Sequence, residues 1–83
     1  SSWKAAAAAA VLYELENTPT GRAVLLWLIT ERYPIARFWR EQARLWVRES
    51  TGMEPEEWLA WRIESMRQYL TQKKPRSHSK KPF

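Results

Sequence analysis

Eighty-three residues carrying a formal net charge of +5 make one small domain at most. There is no cysteine and only one histidine, which excludes a disulfide framework and a His/Cys metal cluster, and no cofactor is expected. A chain this short buries only about 60 % of its unfolded surface, so it is either marginal alone or dependent on a partner.

The charge is not spread evenly. From Ala5 to Gln72 eight arginines stand against nine glutamates, with no lysine and no aspartate. The excess lies at the ends, in Lys4 and in Lys73, Lys74, Arg76, Lys80 and Lys81. A basic total therefore says little by itself, and any polyanion partner must be argued from local features. The longest apolar run of substantial side chains, Ala23 to Ile29, is seven residues, whereas roughly 20 are needed to span a bilayer. No signal-peptide pattern is present, and the expected setting is intracellular rather than secreted.

Taken in chain order, the segments read as helices. Six consecutive alanines, Ala5 to Ala10, have the best intrinsic helix propensity and open a first helix over about 5–16. "NTPTGR" breaks it: Thr18 reads as an N-cap and Pro19 as the first turn of a second helix, over about 19–33. Its stretch "AVLLWLI" is apolar all round, which predicts a segment surrounded by protein. Gly21 is a mild cost near its start. Pro34 stops this helix at Tyr33 and begins a third, over about 35–50, which Gly52 closes with a left-handed cap. "MEPEEW" opens a fourth, over about 55–72, with Glu54, Glu56 and Glu57 at the positive end of its macrodipole. Residues 73–83 have no apolar period. The expected fold is all-α, a small bundle of three to four short helices with a basic, irregular C-terminal tail.

The third helix carries the clearest functional signal. At 100° per residue Arg37, Arg40, Arg44 and Arg48 fall within an arc of roughly 80°. Ile35, Phe38, Trp39, Leu45 and Trp46 form a stripe nearly opposite, which is the expected core face. An ordinary solvated face mixes signs at i,i+4 spacing, yet only Glu41 stands among these arginines. Guanidinium forks suit phosphate or carboxylate, and Arg37 to Arg48 spans about 16 Å, room for several phosphates. On this reading, replacing Arg40 and Arg44 by Glu abolishes binding and leaves helicity unchanged.

The tryptophans divide. Trp27, Trp39 and Trp46 sit on apolar sides and are expected in the core. On the fourth helix Leu59, Ile63, Met66 and Leu70 make the expected core stripe, with Trp58 and Tyr69 on its flank. Trp61 projects away from that stripe and is a candidate contact to a base or a partner. Arg62 either snorkels or pairs with a glutamate of a neighbouring helix.

Catalysis is not expected. His78 lies in the tail with no fixed neighbour, the glutamates sit at helix starts and on surfaces, and the two glycines, Gly21 and Gly52, make no phosphate loop. The sequence thus points to a non-catalytic helical subunit of a larger nucleic-acid-containing complex, with RNA favoured over DNA. Arg37, Arg40, Arg44, Arg48 and Trp61, with the tail cations Lys73, Lys74, Arg76, Lys80 and Lys81, would meet the phosphate backbone without reading sequence. Other protein subunits are expected partners, and no small-molecule substrate is. The alternative is a protein adaptor docking on an acidic surface. A membrane-surface role is not expected, because flanking apolar helices should bury the aromatic stripe of the third helix.

Overall fold

The computed structural model describes residues 2–72, and the tail cations of residues 73–83 lie outside them. The described chain contains four α-helices, α1 (Ser2–Asn17), α2 (Pro19–Thr30), α3 (Arg37–Thr51) and α4 (Pro55–Thr71), and a single 3₁₀ turn over Pro34–Ala36. No strand occurs among the described residues. The chain is a small all-α bundle.

Its punctuation follows from local chemistry. Thr18 is extended, and its hydroxyl oxygen accepts from the Gly21 amide at 2.9 Å while Pro19 occupies the first turn of α2. Gly52 adopts φ 77°, the left-handed region, and its amide donates to the Arg48 carbonyl at 2.8 Å to close α3. At the start of α4 the Glu54 amide donates to Glu57 Oε1 at 3.1 Å, one half of a capping box.

The second helix is shorter than expected, ending at Thr30 rather than Tyr33. Pro34 forces Tyr33 into extended backbone at φ −125°. The three residues before it taper through i→i+3 bonds, Glu31 to Leu28, Arg32 to Ile29 and Tyr33 to Thr30. The buried Thr30 hydroxyl takes up the carbonyl of Leu26 at 2.8 Å and reaches that of Trp27 at 3.2 Å.

α2 is the central element. α3 packs along one side of it in the most extensive contact of the fold, and α1 packs along another. α4 lies chiefly on α1 and touches α3 and α2 more lightly. Gly21 is what lets α2 reach α1: a Cβ there would stand 2.0 Å from the Glu14 carbonyl oxygen and 2.8 Å from the Leu15 Cα. This glycine is a packing requirement, not the mild cost read from sequence.

The core is small. Val11, Leu15, Val24, Val47 and Trp58 are buried together, with Leu25, Leu28, Met53, Leu59 and Met66 partly buried around them. The radius of gyration is 16.0 Å, against about 12 Å for a compact chain of this length. Such an extended bundle leaves much apolar surface uncovered.

Candidate docking surface

The arginine row of α3 does not stand free. Arg40 is half-buried, donates from Nη1 to the Trp27 carbonyl and lies 4.2 Å over the centroid of the Trp27 ring. Arg44 chelates Glu41, Nη2 to Oε2 at 2.8 Å and Nε to Oε1 at 3.2 Å, while its Nη1 meets Glu54 at 3.1 Å. Arg48 Nε lies 3.4 Å from the other oxygen of Glu54. Of the four, only Arg37 is exposed with no ion pair or side-chain hydrogen bond among the described residues.

These contacts set the local electrostatics. The hydrogen bond from Arg44, opposed in part by desolvation, holds the Glu41 carboxyl below its ordinary value. Glu41 first and then Glu54 raise the guanidinium of Arg44 above its own. Glu41 lies one turn before Arg44 on α3 and is visible along the helix, whereas Glu54 arrives from the cap of α4.

The aromatic stripe is corrected outright. Ile35 is 96 % exposed, Phe38 64 %, Trp39 58 %, Trp46 45 % and Leu45 38 %. The face of α3 that meets α2 is instead Ala43 and Val47, which are buried, with Arg40 and Thr51 beside them. Small side chains let the two helices approach closely, and large rings at the seam would hold them apart. The seam therefore runs between the arginines and the aromatics, leaving one on each side. The reason given for excluding a membrane surface, that neighbouring helices cover this stripe, does not hold in the fold.

α2 is likewise not enclosed. Leu26 is 37 % and Ile29 50 % exposed, while Trp27 is half-buried beneath Arg40. Between α2 and α3 runs an open groove of about 370 Å³ with Ala23 and Ala43 on its floor. Leu26, Trp39 and Trp46 form its walls, and Arg22 and Gln42 supply polar edges. Phe38 extends the apolar surface through an edge-to-face contact with Trp39, centroids 5.3 Å apart at 79°.

On α4 the stripe read from sequence is split, with Leu59 and Met66 packed against the core as expected. Trp58 is buried in the core, whereas Ile63 is 44 % and Leu70 38 % exposed. Trp61 is half exposed, as its position implied, with the Arg62 guanidinium 5.5 Å from its ring centroid. Arg62 takes the paired option, Nε to Glu14 Oε1 at 2.8 Å. Trp61, Trp58, Met53 and this ion pair line a second groove of about 420 Å³, away from the arginine row. Three of the expected site residues, Arg40, Arg44 and Arg48, thus sit together but engaged, Arg37 stands open near them, and Trp61 is separate.

No group of three or more metal-ligating side chains occurs among the described residues, and no helix there is long and apolar enough to cross a membrane. No protein-family model, curated protein or solved structure matches the chain.

Proposed function

We propose that this chain is a non-catalytic helical accessory subunit that docks on a protein partner through the apolar face of α2 and α3. One observation carries the reading. Leu26, Ile29, Ile35, Phe38, Trp39 and Trp46, from 37 % to 96 % exposed, stand on α2, α3 and the turn that joins them, with Leu26, Trp39 and Trp46 on one groove and Phe38 against Trp39. Large side chains of roughly 150–250 Å² at those fractions leave on the order of 700 Å² open. The largest apolar patch on a typical monomer is about 300–600 Å², and a standard interface covers about 800 Å² per partner. Arginine, tryptophan and phenylalanine are the residues enriched at such interfaces.

Charge supports an acidic partner. Residues 19–51 hold six arginines against three glutamates, whereas the remaining described residues hold six glutamates against Lys4, Arg62 and Arg67. The half that bears the apolar patch is the cationic half.

The test is the native size of the chain in its own cells. The parent should migrate in a larger assembly. Trp39→Ser with Trp46→Ser should keep its helicity and migrate as the isolated chain. An unchanged native size for the double variant removes this reading.

A second reading keeps a nucleic-acid-containing complex, RNA before DNA, with phosphates along Arg37 and the cations of residues 73–81. Its support is that Arg37 is exposed and unpaired among the described residues. Oligonucleotide affinity that falls steeply with salt and is weakened by Arg37→Glu would favour it.

A further inference from the structure

The groove between α2 and α3 has a shape and a chemistry that narrow what fits it. Both walls are α-helices whose backbone amides and carbonyls, past the first turn, are spent inside the helix ladders. An extended strand laid here would bring its own backbone groups onto an apolar floor with nothing to pair them. A helix satisfies its backbone internally and can lie on such a floor. Trp39 and Trp46 are seven residues apart, about 10.5 Å along α3. That is the distance between the first and last anchors of an i, i+3/i+4, i+7 face. Ala23 and Ala43 leave depth for one inserted side chain between Leu26 and the two tryptophans.

Arg22 sets the polarity of the occupant. It is the one charged residue lining the groove. Its Nε donates to the Glu16 carbonyl at 2.8 Å, which tethers the guanidinium, and no carboxylate pairs with it among the described residues. The terminal nitrogens remain as donors at the groove edge. A second copy docking by the same face about a two-fold axis would bring the two cationic halves together, which disfavours self-pairing.

Resting on the docking reading above, we infer that the occupant of this groove is an amphipathic helix of another protein. It carries large apolar side chains at i, i+3/i+4 and i+7 and an Asp or Glu on the edge that faces Arg22.

Two labelled helical peptides test this against the full chain by fluorescence anisotropy. Both carry leucines at that spacing; one has glutamates along the flank and the other lysines. The glutamate peptide should bind about tenfold tighter or more, the size expected of one charge-assisted hydrogen bond. Arg22→Glu should reverse the preference, and Leu26→Ser with Trp39→Ser should remove binding of both peptides while circular dichroism stays unchanged. Binding of neither peptide, or a preference that ignores Arg22, overturns the proposal. So does concentration-dependent self-association abolished by the serine substitutions, which would make a second copy the occupant. Flotation with phosphatidylglycerol vesicles through the same residues, without peptide binding, would make it a lipid surface and overturn the proposal equally. If the peptides fail but Trp39→Ser with Trp46→Ser still releases the chain from its native assembly, protein docking stands and only the helical occupant falls.

Discussion

The guanidinium of Arg40 lies over the ring of Trp27 and donates to the carbonyl of that same residue. One arginine of α3 thereby shares with the Thr30 hydroxyl a carbonyl in the last turn of α2. Its position on the cationic edge is structural as well as electrostatic. Losing a charge-assisted hydrogen bond and a partly desolvated cation–π contact costs about 1–3 kcal/mol. Arg40→Ala should lower the urea midpoint accordingly, and Arg40→Lys should recover only part of it, since an ammonium cannot offer the planar stack. A midpoint unchanged in both variants would show that the contact contributes nothing.

Arg44 extends the point. Replacing it by Glu sets a carboxylate against Glu41 and Glu54, which now repel it and each other. The expectation from sequence was that Arg40→Glu with Arg44→Glu leaves helicity untouched. From the fold the double variant should lose helicity and melt lower, and added salt should restore part of the loss attributable to Arg44. It is therefore a poor probe of binding, and Arg37→Glu is the cleaner one.

Acid should weaken the fold through the same surface pairs. Glu41 is held below its ordinary value chiefly by the Arg44 hydrogen bond, and Glu64 by those from Arg67 and Gln68. A carboxylate depressed in the folded state contributes stability above its unfolded value and loses it as pH falls through the folded one. These pairs are exposed, so the effect should be modest and screened by salt. Urea midpoints measured from pH 7 to pH 3 should stay flat at first and fall below the ordinary carboxylate range. Glu41→Gln with Glu64→Gln should make that fall shallower.

The two glycines predict opposite kinds of damage. A methyl at Gly21 would collide with the Glu14 carbonyl, which is backbone and cannot swing aside, so α1 and α2 must part. Gly21→Ala should cost more than about 2 kcal/mol, the range of overpacked or strained core sites. Gly52 has open space around its Cβ position but φ 77°. Gly52→Ala there should cost only the left-handed penalty of about 1–2 kcal/mol. Denaturant curves for the two variants rank them, and the reverse order would contradict the close approach of α1 and α2.

What could be read from the chain beforehand was whatever depends on near neighbours. Thr18 with Pro19, the glycine after Thr51, and the glutamates beside Pro55 each announce a helix end through bonds within four residues. Tertiary geometry was not legible in that way. The periodicity of α3 reveals two faces but not that α2 meets the strip between them, where Ala43 and Val47 fit and Arg40 alone of the arginine row takes part. Glu54 reaches Arg44 and Arg48 only after Gly52 turns the chain. For Arg62 the sequence leaves two options, snorkelling or pairing with a glutamate of a neighbouring helix, and only the packing of α4 on α1 decides for Glu14.

That division predicts how the six tryptophans of the chain should differ on substitution. Trp58 is 4 % exposed and packs in the central cluster with Val11, Leu15, Val24 and Val47. Trp58→Ala removes a large buried ring and should cost about 3–5 kcal/mol, a large share of the whole stability of roughly 4–12 kcal/mol for a chain of this size. The urea midpoint of the variant should fall far below that of the parent. Trp39 and Trp46 are drawn from the same chemistry but stand 58 % and 45 % in solvent. Substituting either by Ser should cost clearly less than Trp58→Ala, because about half of each residue already stands in solvent and no closed cavity forms. If hydrophobic patterning alone decided the core, the two α3 rings would be as sensitive as Trp58. Urea midpoints of the three single variants decide between these accounts: a loss at Trp39 equal to that at Trp58 would return the ring to the interior and take the apolar docking face with it.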